Sequence, residues 1–167
     1  MVDAVDTAPP EAGPEVGYVR DFHAWTQAQA AALRAAAQTG ANFPVDWENV
    51  AEEIESLGRS EASALRSRLR TIIEHLLKLE VSPARDPVPG WRETITRCRI
   101  DIENDLTDSP SLRRHVPEWL EREHRAAARL VSMNLRGHGE WSPEVEERLQ
   151  VRRFAENDVL GDWFPAD

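Results

Sequence analysis

The chain has 167 residues, 41% of them hydrophobic and 30% charged, with a formal net charge of -10, a composition that suits one soluble globular domain. That charge repels phosphate backbones and disfavours nucleic acid as a partner. No apolar run nears the roughly 20 residues of a bilayer-spanning helix, and Met1 to Gly17 lacks the basic start and hydrophobic centre of an export signal. With Cys98 as the single cysteine, an internal disulfide is excluded, and a cytoplasmic protein away from the membrane is expected.

Residues 1–17, with Pro9, Pro10 and Pro14 among Ala, Asp and Glu, have little to bury and read as a disordered tail. A single all-α domain is expected over residues 18–167. Its first helix runs from about Arg20 to Gln38, with Phe22, Trp25, Ala28, Gln29, Ala32 and Leu33 near i, i+3, i+4 spacing; Asp21 is its N-cap and Thr39-Gly40 its stop. After an Asn42-Phe43-Pro44 linker, Asp46 caps a long run to Glu80. Projected at about 100° per residue, this run places Trp47, Val50, Ala51, Ile54, Leu57, Leu65, Leu69, Ile72, Leu76 and Leu79 on one stripe. Because an unbroken helix of that length would reach about 50 Å, against a radius of gyration of roughly 15 Å for a compact chain of this size, a bend or break is expected near Gly58, with Ser60 recapping.

A Pro-rich loop leads to a helix carrying Trp91, Ile95, Cys98, Ile102 and Leu106. Ser109-Pro110 reads as a cap, Val116-Pro117 restarts a helix to about Leu135, and Gly137-His138-Gly139 ends it. Ser142-Pro143 opens a short helix to about Val151. The apolar residues Phe154, Val159, Leu160, Trp163 and Phe164 predict a docked tail, and the absence of alternating β-branched runs completes an all-α bundle of about four main helices.

Glu61, Arg68 and His75 lie seven residues apart on one edge of the central stripe, since a seven-residue step drifts only about 20° around a helix. Charges there need partners, so a structural row of ion pairs that fixes helix register is one reading and a ligand pocket around His75 the other. Glu48, Glu52 and Glu55 share an outer face that reads as solvated rather than as a divalent-cation site. Glu121-x-x-His124 is half of a di-iron carboxylate-histidine motif. Cys98, between Arg97 and Arg99, reads as a small core residue, with a Cys98-His75 nucleophilic pair as the alternative, and the six tryptophans read as core packing. No phosphate-cradling glycine loop, zinc-type Cys/His spacing or nucleophile elbow is present, and no cofactor or metal is implied.

The stretches Asp21-Phe22-x-Ala24-Trp25 and Asp46-Trp47-Glu48-Asn49-Val50-Ala51-Glu52-Glu53-Ile54-Glu55-Ser56-Leu57-Gly58-Arg59-Ser60-Glu61 are followed by Leu65-Arg66-Ser67-Arg68-Leu69, His75-Leu76-Leu77-Lys78, Trp91-Arg92, Ile95, Arg99-x-x-Ile102 and Ser109-Pro110-Ser111-Leu112. With a looser echo in Asp162-Trp163-Phe164-Pro165, they resemble the bacterial family known as domain of unknown function twenty-nine. The resemblance implies a small helical bundle without an established activity, and it implies glutamine where Cys98 stands. The expected function is a protein-interaction or regulatory module, with a protein partner or a second copy; the alternative is an enzyme or small-ligand binder using Glu61, Arg68 and His75.

Overall fold

The structure, a computed structural model, describes residues 17–39 and 43–166. The expected tail lies outside these residues apart from Gly17, as do Gly40 of the expected helix stop and Asn42 of the expected linker. The described residues form six α-helices and no strand: α1 (Phe22–Gln38), α2 (Trp47–Val81), α3 (Val88–Asp108), α4 (Val116–His138), α5 (Pro143–Val151) and α6 (Glu156–Leu160). A 3₁₀ helix over Pro110–His115 joins α3 to α4. None of the helices is long and apolar enough to cross a membrane.

The helix boundaries follow local chemistry. The Asp21 carboxylate accepts from the Ala24 N–H at 2.9 Å and caps α1, Asp46 does the same for Asn49 at 3.3 Å in α2, and Ser142 caps α5 through Val145 N–H at 3.3 Å; each satisfies one of the orphan donors of a first turn. Gly139, at φ 72°, closes α4 in the left-handed conformation that glycine adopts without a Cβ penalty.

α2 touches every other α-helix, but its two halves have different neighbours. In the second half Leu65, Leu69, Ile72, Ile73, Leu76 and Leu77 are fully buried. They pack against Ile95, Ile102 and Leu106 of α3, Leu120, Ala127, Val131 and Leu135 of α4, and Leu149, Phe154 and Val159 of the closing segment. Leu160, Trp163 and Phe164 lie against this core, so the tail docks as its apolar spacing predicts, and Cys98 packs half-buried beside it. All six tryptophans are only partly buried: they lie at the edges of the packed layers.

The expected break near Gly58 does not occur. α2 is helical without interruption over 35 residues, about 52 Å at 1.5 Å per residue, and Ser60 recaps nothing. A compact chain forces a break only where the whole run lies inside the bundle, and here the first half stands outside the core with α1 beside it. Gly58 is a crossing point: a Cβ there would collide with Thr26 Oγ1 and come within 3.3 Å of Gln27 Nε2 and His23 Nδ1. The expected stripe is corrected for the same reason. Ala51 is buried against α1, but Val50 is 39% and Leu57 53% exposed, because a single partner helix covers only part of a stripe that wide.

Candidate functional site

The densest polar constellation forms where the start of α1, the middle of α2 and the corner between α3 and the 3₁₀ helix meet. Besides capping α1, Asp21 accepts from Ser111 N–H at 2.7 Å and from Ser111 Oγ at 2.8 Å, so one carboxylate ties the two elements together. The His23 backbone N–H donates to Ser109 Oγ at 3.0 Å. Its ring Nδ1 lies 3.1 Å from the Gly58 carbonyl, which only accepts, so the proton is on Nδ1. Ser109, fully buried, passes its own hydroxyl proton toward Glu61 Oε1 at 2.8 Å.

Glu61 Oε2 is buried without a protein hydrogen bond among the described residues. Burial holds the Glu61 carboxyl above its usual range; the Ser109 hydrogen bond and the nearby His23 oppose this, while Asp105 and Asp21 add to it. Arg68 sits two turns on and faces α3: its Nη1 donates to Asp105 Oδ2 at 2.7 Å and its Nε lies 3.6 Å from Asp101 Oδ2. Burial raises the Asp105 carboxyl as well, against the pull of Arg68. His75 Nδ1 donates to the Thr71 carbonyl of its own helix at 2.8 Å.

The three residues singled out in the sequence therefore share a face of α2 and part company in their contacts. Glu61 is met by the α1 and 3₁₀ corner, Arg68 by α3, and His75 by its own backbone; a step of seven residues separates successive members by about 10 Å along the axis. Asp105, bonded to Arg68, is close enough to Glu61 to help raise its carboxyl.

Sequence reasoning missed several partners. Asp21 and Ser109 read as caps, and His23 and Asp105 carried no signal of their own. Glu123 is 2% exposed and held by Arg66, whose Nε and Nη2 reach Oε1 at 3.0 and 2.9 Å, with Arg70 Nη1 3.4 Å from Oε2. A glutamate within the apolar spacing Leu120, Ala127, Val131 was the available signal, since such a residue must be paired.

His124 is also 2% exposed. Its Nε2 accepts from the Phe154 backbone N–H at 2.8 Å, which fixes the neutral ring with its proton on Nδ1. Burial, then Arg153, depress its pKa to about 4. Glu121, three residues before it, is exposed and 3.8 Å from Arg153, and among the described residues no group of three or more His, Cys, Asp or Glu is arranged to hold a metal ion. The Cys98 thiol is pushed up by burial and by Asp101, the reverse of an activated nucleophile.

The acidic face of α2 stays exposed at Glu48 (70%) and Glu52 (54%) and also pairs with arginines along the α1 seam. Arg34 of α1 reaches Glu48 at 3.1 Å, Glu55 at 2.8 Å and Glu52 at 3.6 Å, and Arg59 bonds Glu52 at 2.5 Å. On this edge of the two-helix arm two guanidiniums offset two of the three carboxylate charges. On the opposite edge Val50 and Leu57 are exposed, while α1 presents Phe22, Trp25 and Ala36, all partly buried.

An all-α protein whose long central helix carries a two-helix arm at one end and a packed bundle at the other is the class that these observations define. The family model described as Domain of unknown function DUF29 matches residues 18–159, and the chain belongs to that family. An α-helical protein of unknown function from Rhodospirillum rubrum, known from a crystal structure at 1.45 Å resolution, is similar in fold: 22% identity and a TM-score of 0.63 over 89% of this chain and 98% of that one. No curated protein matches the chain.

Proposed function

We propose that the protein is a cytoplasmic interaction module, without catalysis of its own, that engages a protein partner through the uncovered edge of the α1–α2 arm. Residues 18–167 act as one folded unit in this reading, and Glu61, Arg68 and His75 belong to rows that hold α2 in register. The observation that carries it is the contrast between the two halves of one amphipathic helix. From Leu65 to Leu76 the stripe is fully covered, whereas Val50 and Leu57, on the same stripe, face outward. Contiguous apolar surface that the fold leaves open marks an interaction site.

The alternative, an enzyme or small-ligand binder centred on Glu61, draws on one observation, a buried carboxyl held above its usual range beside a serine. Ser109 is fully buried and already bonded on both sides, which favours a structural role for the pair. Affinity purification of the full-length protein from its native cell distinguishes the readings. The paired changes Val50→Glu and Leu57→Glu should abolish co-purification of the bound protein with little change in stability, about 0.5 kcal/mol per exposed site. Glu61→Gln and His75→Ala should leave it intact. Retention by the arm variant together with loss in Glu61→Gln would overturn the proposal.

A further inference from the structure

Resting on the interaction reading above, we infer that the partner presents a basic amphipathic helix, which lies along the uncovered edge of the arm. The seat is a shallow groove between two antiparallel helices. Gly58 of α2 crosses Thr26 near the start of α1, and Arg34 near its end reaches Glu48. Arg34, Glu48, Glu52 and Glu55 fix one edge of the pair. On a helix advancing about 100° per residue, Val50 and Leu57 fall on the other edge of α2, and Trp25 and Ala36 on the other edge of α1. Phe22 and Ile54 lie between them, and the half-exposed Tyr18 stands edge-on against Phe22 and Trp25 at the inner end. The 17 residues of α1 give this groove a length of about 25 Å, enough for four turns of a docked helix with apolar anchors at i, i+3 or i+4, and i+7. At its inner end Glu61, four residues past Leu57, is met by Ser109, so the corner of α3 closes the groove there.

Charge selects the occupant. Each carboxylate of the seam edge is ion-paired with Arg34 or Arg59, two guanidiniums shared among three acids. On the groove edge Glu53 is exposed with no ion pair to any described residue, and the Asp46 carboxylate bonds only the uncharged Asn49. An unneutralised acidic rim beside apolar side chains fits a helix with Lys or Arg flanking its apolar stripe. A second copy would bring the same rim, on a chain of net charge -10. Residues 1–16, outside the described part, carry Asp3, Asp6, Glu11 and Glu15 and no basic residue, so they share that sign too.

The test is a fluorescence-anisotropy titration of the full-length protein with three labelled 18-residue peptides: an amphipathic helix with Leu anchors and Lys flanks, the same helix with Glu flanks, and a scrambled Lys peptide. Light scattering of the protein alone runs in parallel. The proposal expects the basic helix to bind at least about tenfold more tightly than either control. Leu57→Glu should weaken it by about tenfold or more, and Glu53→Gln by about two- to threefold at low salt, an effect that fades as salt is added. Equal binding of the basic and acidic helices, no binding at all, or binding indifferent to Leu57→Glu would each overturn it. A dimer dissolved by Leu57→Glu would overturn it in favour of a second copy and leave the interaction reading standing; loss of the interaction reading itself appears instead as co-purification that survives the arm variant.

Discussion

Single residues carry constraints of opposite sign. Glycine at position 58 weakens α2 as a helix, since Ala is better there by about 1 kcal/mol in an isolated helix, but the Cβ of Gly58→Ala would press into Thr26. Overpacking of this kind typically costs about 1–3 kcal/mol, so the variant should melt earlier, and α1 should be the first segment cut in limited proteolysis; a raised melting temperature would show that α1 simply yields. For His124, with a pKa of about 4 against the ordinary 6.5, the unfolded chain takes up its proton first as pH falls. Its contribution is therefore intact above about pH 6.5 and lost progressively toward pH 4, amounting to about 3 kcal/mol. Urea midpoints should drop over that window in the native protein and drop less in His124→Gln, whose side-chain oxygen can still accept from Phe154 N–H. Glu61 has the reverse sign. Its carboxyl, raised above 4.5 by burial, favours folding below that pH, and the favour is lost as pH rises through the raised value. Glu61→Gln keeps an acceptor for Ser109 and sheds the buried charge, so its stability at pH 7 should equal or exceed that of the native protein; a loss of more than about 1 kcal/mol would show that the charge itself supports the corner.

At the scale of elements, the C-terminal segment hangs on Arg99 of α3. Its guanidinium donates to the carbonyls of Val159 at 2.9 Å, Asp158 at 2.8 Å and Trp163 at 2.7 Å, and lies 4.8 Å from the Phe164 ring centroid. Arg99→Ala removes three charge-assisted bonds at once and should cost about 2–4 kcal/mol of tail docking, seen as faster protease cleavage after residue 160 and a shift in Trp163 fluorescence. Lysine should not rescue it, having no fork to span three acceptors; full rescue by Arg99→Lys would mean that charge alone matters. Helix positions were readable from the sequence because caps and apolar spacing are local. The continuity of α2 was not, because it depends on which neighbour lies beside Gly58, and neither was the seam at Glu48, Glu52 and Glu55, because the Arg34 that matches it comes from a helix with no acidic pattern to announce it.

For the molecule as a whole, one helix serves as core at one end and as half of an arm at the other. The motif residues of the resemblance, scattered from Asp21 to Ser111, converge at the junction of the two parts through Asp21, Gly58, Glu61, Ser109 and Ser111, with His23, outside the motifs, bonded to Ser109 and Gly58. Periodicity placed Glu61, Arg68 and His75 on one face; it carries no information about which elements meet that face, and the structure gives each a different partner. The exposed edge was hidden for a similar reason. Val50 and Leu57 look in sequence like Leu65 and Leu69, and only the count of helices packed beside them separates surface from core. Hydrogen–deuterium exchange of the full-length protein, alone and with its co-purified partner, tests the central claim most directly: protection should concentrate in residues 22–36 and 47–57, and protection confined to residues 61–75 or to the α5–α6 segment would contradict it.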